Sequence, residues 1–242
     1  MHDRKSLKIQ RWDGNLLSAG IDIYAPRDEV HGGTWFGFLN KEDFKYAFLT
    51  NIRDPAHKET DKKSRGKIIP SFLNTNLAPR FFIQELKKMQ PDYNLFNLIF
   101  GNKDECFYFH SKTGESKLLW NKSQKKEKIF GLSNGKLNSN WPKVQNTMNL
   151  FSKLKKMEIN DYWNFFKKEM QNKNKYPLHN LPITGVSPEI EVFLSSLFIQ
   201  NETYGTRSTL FFCFDPKKQK AHIFEQNYNS LGLETEESVI QI

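Results

Sequence analysis

Six short polar clusters interrupt the apolar stretches of this 242-residue chain: Gly32-Gly33-Thr34-Trp35-Phe36-Gly37, Thr50-Asn51-Ile52-Arg53, Ser64-Arg65-Gly66, Phe96-Asn97-Leu98, Gly131-Leu132-Ser133-Asn134 and Tyr204-Gly205-Thr206-Arg207. Their residue types suit the holding of an anion. Asn51, just past a predicted strand end, carries an amide that both donates and accepts, and Arg53 and Arg65 carry fixed cationic forks. Trp35 adds a broad apolar face. Gly32 and Gly33 allow a close approach of backbone where a Cβ would obstruct. Arg207 has two readings: it points into a cleft shared with the others, or it ties loops together through carbonyl oxygens.

Motifs for other chemistry are missing. A phosphate loop needs a glycine-rich turn ending in Gly-Lys-Ser/Thr, which does not occur. Gly32-Gly33 with Gly37 precedes an apolar hairpin instead of the helix that a dinucleotide fingerprint requires. The six histidines, at 2, 31, 57, 110, 179 and 222, include no pair at i, i+4, and neither cysteine stands at zinc-ligand spacing from another ligand. No Gly-x-Ser-x-Gly elbow is present. Ser133 reads as a turn serine.

Alternation predicts the elements that must position these clusters. Trp35, Gly37 and Leu39, then Phe44, Tyr46 and Phe48, predict a hairpin turning at Asn40-Lys41-Glu42-Asp43. Further strands are predicted at Leu95–Phe100, Cys106–His110, Ile129–Leu132, Thr209–Phe214 and Ala221–Gln226, with another at Ser238–Ile242 and a turn at Asp215-Pro216-Lys217-Lys218. Helical spacing occurs at Phe82, Leu86 and Met89, and at Val144, Met148, Phe151 and Leu154, where Asn140 is the expected cap with Pro142 in the first turn. A third helix carries Trp163, Phe166 and Met170 behind a cap at Asn160 or Asp161. A fourth starts at Ser187-Pro188-Glu189 and is expected to bury Ile190, Phe193, Leu194 and Leu197. Residues 172–184 read as a long loop. Helices and antiparallel hairpins are thus segregated, which predicts α+β layering in a single domain over residues 1–242.

Composition narrows the class. The 21 phenylalanines supply bulk for a core, and no apolar run reaches the eighteen residues of a membrane span. The polar start does not read as a secretory signal, so a cytoplasmic location is expected. Cys106 and Cys213 lie in apolar runs and read as free thiols. The formal charge of +9 comes from 29 Lys and only 7 Arg beside 22 Asn, which resembles the base composition of an AT-rich genome more than a nucleic-acid surface. The nine lysines between Lys136 and Lys175 read as a solvated helix face.

The order and spacing of the six clusters resemble the NRDE family, also called the transport and Golgi organisation protein 2 family, from His2 to about Asn227. The resemblance implies an N-terminal-nucleophile-hydrolase-like αββα sandwich of antiparallel sheets between helical layers. It also implies an apolar first strand, commonly with Cys after the initiator Met, and an Asn-Arg-Asp-Glu tetrapeptide followed by an aromatic, His or Tyr, any residue, Arg and Pro. Here His2-Asp3-Arg4 matches the tail of that signature and Lys5 replaces the proline. Met1 falls on the aromatic position. The expectation is a chain missing its first strand and tetrapeptide, with a true start upstream of Met1 favoured over a real truncation.

An N-terminal nucleophile works through the side chain of residue one and its own amine, which Met1 and His2 do not supply. What the resemblance implies for activity is therefore a non-catalytic haem-handling or haem-trafficking protein, with no obligatory cofactor and haem as cargo. Arg4, Trp35, Asn51, Arg53, Arg65, Asn97, Asn134 and Arg207 are the ligand-binding candidates, and His2 and His31 the candidate iron ligands. Two alternatives stay open: an amide hydrolase whose Cys lies upstream of Met1, and an acyl-CoA or anionic-lipid binder using the lysine-rich helices. No nucleic-acid partner is expected, whereas homo-oligomers through an exposed sheet edge are.

Overall fold

The computed structural model describes residues 6–11, 23–28, 32–40, 44–124, 126, 128–154, 157–215, 218 and 220–241, the first of these stretches by its backbone path only. Two compact units make up the chain, one formed by Leu7–Leu137 and the other from Asn138 onward.

The first unit is a seven-stranded sheet whose spatial order follows the chain: β1 (Ser6–Arg11), β2 (Ile23–Asp28), β3 (Phe36–Leu39), β4 (Lys45–Asn51), β5 (Phe96–Asn102), β6 (Glu105–His110) and β7 (Glu115–Asn121). From β2 onward each neighbouring pair is antiparallel. Helices α1 (Ile68–Asn74) and α2 (Pro79–Met89) are inserted between β4 and β5. Side chains alternate across the pleat, so Phe96, Leu98 and Phe100 of β5 join Ala47, Phe109, Ile69, Phe72, Phe82 and Leu86 in one buried cluster on the helical side. The Phe72 ring centre lies 5.0 Å from that of Phe82 and 5.1 Å from that of Phe100. On the other side of the same strands Cys106, Tyr108 and Leu119 pack with Tyr46, Ile99, Phe130, Leu132 and Leu137.

The predicted hairpin is present, Phe36 standing opposite Phe48 and Leu39 opposite Lys45; its turn residues 41–43 lie outside the described residues. Ile129–Leu132 is not a strand. It joins no β-ladder and runs as an irregular strap that packs the partly buried Phe130 and Leu132 against the sheet. Strands β1, β2 and β7 and helix α1 are additions to the predicted elements. In β7 four of seven positions are exposed, which leaves little apolar signal. In α1 the apolar pattern is broken by Pro70 and polar Ser71.

The second unit contains α3 (Pro142–Ser152), α4 (Ile159–Met170) and α5 (Pro188–Phe193), followed by β8 (Ser208–Asp215), β9 (Lys220–Tyr228) and β10 (Glu234–Gln241) in an antiparallel sheet with β9 in the middle. Helix α4 lays its aromatic stripe on this sheet, Trp163 stacking on Phe224 at 5.5 Å and Phe166 meeting Phe211 at 5.4 Å. The expected caps of α3 and α4 are corrected. Trp141 and Glu158 occupy the cap positions without a side-chain bond, and Asn160 and Asp161 lie inside α4. Ser187 does cap α5, accepting from the Ile190 amide. That helix is a single short piece, however, and Ile190 is 45 % exposed. The residue it buries is Glu191, whose carboxylate accepts from the Thr184 amide and hydroxyl. Both cysteines are free, Cys106 buried and Cys213 half-buried. The molecule is thus α+β, with two antiparallel sheets flanked by helices, and no helix among the described residues is long and apolar enough to cross a membrane.

Candidate functional site

Five of the six polar clusters meet in the first unit. The tightest junction is between glycines: an added Cβ on Gly33 would stand 2.5 Å from the Gly66 Cα, and one on Gly66 would stand 2.6 Å from the Gly33 Cα. The Thr34 amide donates to the Gly66 carbonyl across this contact at 3.1 Å. Gly32, at φ 66°, makes the turn that delivers Gly33, its amide donating to the Asp28 carbonyl. The start of β3 is thereby fastened to the segment that carries Arg65.

Arg65 then reaches the end of β4. Its guanidinium Nη1 donates to the Leu95 carbonyl at 3.1 Å, the same oxygen that accepts the Ile52 amide at 3.2 Å. Arg53 follows directly. Its amide donates to the Asn134 carbonyl at 2.7 Å while Asn134 Nδ2 donates to the Asn51 carbonyl at 2.9 Å, a reciprocal clasp between the β4 end and the strap. Arg53 and Arg65 are both half-buried, as are Trp35 and Asn51.

Beneath the clasp lies Asn97, 0 % exposed. Register places it opposite Thr50 on β4 and His110 on β6. Its Nδ2 donates to Thr50 Oγ1 at 3.1 Å and to the Gly135 carbonyl at 2.9 Å, and its Oδ1 accepts from the Tyr108 hydroxyl at 2.8 Å. Thr50 Oγ1 donates in turn to the Ser133 carbonyl, and the Tyr108 hydroxyl accepts from the Leu137 amide. Both amide protons and the oxygen of Asn97 are thus engaged within the protein. Burial pushes the Tyr108 phenol up to about 12, so it stays protonated and donating at any physiological pH.

His110 completes the buried edge. It is 2 % exposed, with Nδ1 3.1 Å from Thr113 Oγ1. Burial, helped by the charges of Lys136 and Lys112 and opposed by Glu115, holds its imidazole below the ordinary 6.5. The unfolded chain takes up a proton near that value which the folded chain refuses, so this contribution to stability is full above about pH 6.5 and is lost as pH falls below it. Thermal melts between pH 7 and 5 should show the wild type losing stability on acidification and His110→Asn losing less. Equal slopes would remove His110 from the account.

Of the residues expected from sequence, Asn51, Arg53, Arg65, Asn97 and Asn134 come together at the ends of β4 and β5, with Trp35 beside the glycine junction. Arg207 belongs to the other unit, where its carbonyl accepts the Tyr228 amide at 2.8 Å. Arg4, His2 and His31 lie outside the described residues. Tyr108 and His110 are members of the site that sequence reasoning misses. Two polar rings spaced i, i+2 inside the apolar Cys106–His110 run are the available signal, since one face of a buried strand carrying both must meet polar partners.

These features define an α+β protein whose polar residues gather at strand ends under an irregular strap, held by reciprocal amide bonds. Residues 1–230 match the family described as Transport and Golgi organisation 2, and the chain belongs to it. It is 25% identical over 148 residues to the mouse Transport and Golgi organization 2 homolog and 26% identical over 148 residues to the human Transport and Golgi organization protein 2 homolog. Each match covers 59% of this chain and 50% of the relative, so the similarity spans about half the length of those proteins.

Proposed function

We propose that this chain is a non-catalytic haem-handling protein of the cytoplasm, acting as one domain over residues 1–242 with an N-terminal-nucleophile-hydrolase-like sandwich fold and carrying haem as cargo. The observation that supports it best is that Arg65 and the segment leading to Arg53 meet at one strand end, where the Leu95 carbonyl accepts from both Arg65 Nη1 and the Ile52 amide. Two carboxylates on one edge of a flat apolar ligand match two guanidinium forks near an aromatic side chain such as Trp35. A carrier must also release its cargo, which favours half-exposed cations over a closed pocket. Self-association through an exposed sheet edge belongs to the same proposal.

Titration of the purified protein with ferric haem should give a saturable Soret change, and an apo-acceptor added afterwards should take up the haem. Replacing both Arg53 and Arg65 by alanine is expected to weaken binding by about 100-fold, since each charge-assisted bond contributes roughly 1.5 kcal/mol. Absence of a saturable change in the wild type would end the haem reading. Displacement of haem by a long-chain acyl-CoA at equal concentration would move the same site to that ligand class.

A further inference from the structure

We infer that the loop between α4 and α5 docks the second unit on an anionic phospholipid bilayer, with Leu178, Ile183 and Ile190 entering the interface and Lys173 and Lys175 meeting the headgroup phosphates. From Gln171 to Pro188 the sequence holds two lysines and a histidine and no Asp or Glu. Within this stretch Leu178 is 47% exposed and Ile183 98%, and Ile190 of the adjoining α5 is 45% exposed. Hydrogen bonds fix the loop to its own unit. The Phe198 amide donates to the Asn172 carbonyl at 2.9 Å, the Tyr176 amide to the buried Ser195 Oγ at 3.0 Å, and the Thr184 amide to Glu191 at 2.8 Å. The single 3-10 turn Leu178–Asn180 lies against α5, which carries Ile190, and Ile183 directly precedes the Thr184 that α5 holds through Glu191. The three apolar side chains are thus presented around one short helix, on a segment ordered by polar bonds.

The lysines are placed with them. Lys175 Nζ lies 5.7 Å from the centre of the Phe193 ring of α5, and Lys173 Nζ lies 5.3 Å from that of Phe198, so both cations rest over aromatic faces beside the apolar tips. Of the neighbouring acids, Glu191 is buried on Thr184, which leaves Glu189 in the first turn of α5 and Glu202 in the turn before Tyr204, whose ring meets Phe193. These two flank the loop and do not interrupt its positive stretch. A lone exposed apolar residue is ordinary on a protein surface, whereas several on one fixed segment mark an interaction site. A bilayer suits this one. Its interface yields to the shape of a side chain as prominent as Ile183, it takes apolar groups at the acyl boundary while lysine stems carry their charges up to the phosphates, and anionic headgroups complement a loop that carries cations only.

Sedimentation of the full chain with vesicles tests this. The wild type should pellet with vesicles of phosphatidylcholine mixed with phosphatidylglycerol, less with phosphatidylcholine alone, and less as salt is added. Ile183→Ser should lower the partition coefficient about 10-fold or more, the loss of one buried isoleucine. Lys173→Ala combined with Lys175→Ala should lower it about 30-fold, the loss of two charges near the surface. Lys168→Ala, on exposed α4 surface outside the loop, should bind as the wild type does. Ile183 is exposed, so a circular dichroism melt matching the wild type is the expected sign that its variant is folded. Wild type that stays in the supernatant with both vesicles would overturn the inference, as would equal binding to both. Loss of binding in the lysine variant with none in Ile183→Ser would overturn it in favour of adsorption by charge alone. A lipid-free dimer in analytical ultracentrifugation that Ile183→Ser converts to monomer would overturn it in favour of a second copy of this chain.

Discussion

Gly66→Ala is expected to destabilise the protein by about 3 kcal/mol or more, a fall in melting temperature on the order of 10 °C for a chain of this size. The reason is geometric. The new methyl would stand 2.6 Å from the Gly33 Cα and 3.1 Å from the Thr34 nitrogen, all of it main chain, so no side-chain rotation relieves the clash. The two segments must part, and the Thr34 amide bond to the Gly66 carbonyl goes with them. Gly33→Ala meets the same obstacle from the other side, at 2.5 Å, and should cost about as much. Either methyl alone already forces the separation, so the double variant should cost less than the sum of the two. Gly32→Ala is the control. Nothing stands within 4 Å of its added Cβ, and only its φ of 66° is unfavourable, which costs an alanine roughly 1–2 kcal/mol. Melting of all four variants decides the matter: Gly66→Ala within about 2 °C of the wild type would mean that the close approach carries no weight.

The glycine junction also marks where local sequence pattern stops being informative. Gly32-Gly33 is legible because paired glycines before an apolar hairpin imply crowding, yet the crowding partner, Gly66, is 33 positions away from Gly33 and no local pattern links them. The same limit governs the strap. Ile129–Leu132 has the composition of a strand, yet it leads into residues 133–135, where the Ser133 and Gly135 carbonyls take side-chain bonds from Thr50 of β4 and Asn97 of β5 in place of a ladder. The strands that alternation does predict, β3 to β6 and β8 to β10, carry strong periodicity or β-branched and aromatic content. Exposed β7 does not. Cap positions fail for a related reason: Pro142 fixes the start of α3 by its ring, so Trp141 can precede it with no capping side chain, and a polar residue nearby need not be used. Asn51, Arg53, Arg65, Asn97 and Asn134 all stand out in the sequence. Their division of labour does not, because residue type alone cannot tell an amide engaged within the protein from one offered to a ligand.

Asn97→Leu is expected to separate those two roles. The substitution removes the acceptor of the Tyr108 hydroxyl and the donor to both Thr50 Oγ1 and the Gly135 carbonyl, leaving polar groups unpaired in a site that is 0 % exposed. With each such group costing about 1–3 kcal/mol, and some relaxation toward water at the strap, a loss of about 2–4 kcal/mol follows. The damage should be local as well as global. Residues 131–137 depend on these bonds, so hydrogen exchange there should rise more than in β5 or β6. Asn134→Ala, which removes only the half-buried bond to the Asn51 carbonyl, should cost about 1 kcal/mol and loosen the same segment less. The Arg53 amide is tied to that strap through the Asn134 carbonyl, so, on the haem reading proposed above, a loosened strap should weaken haem binding in proportion to its exchange rate. If instead Asn97→Leu bound haem poorly while its strap exchanged at the wild-type rate, Asn97 would be a contact residue, and its bonds to Thr50, Gly135 and Tyr108 would have to open when the ligand enters.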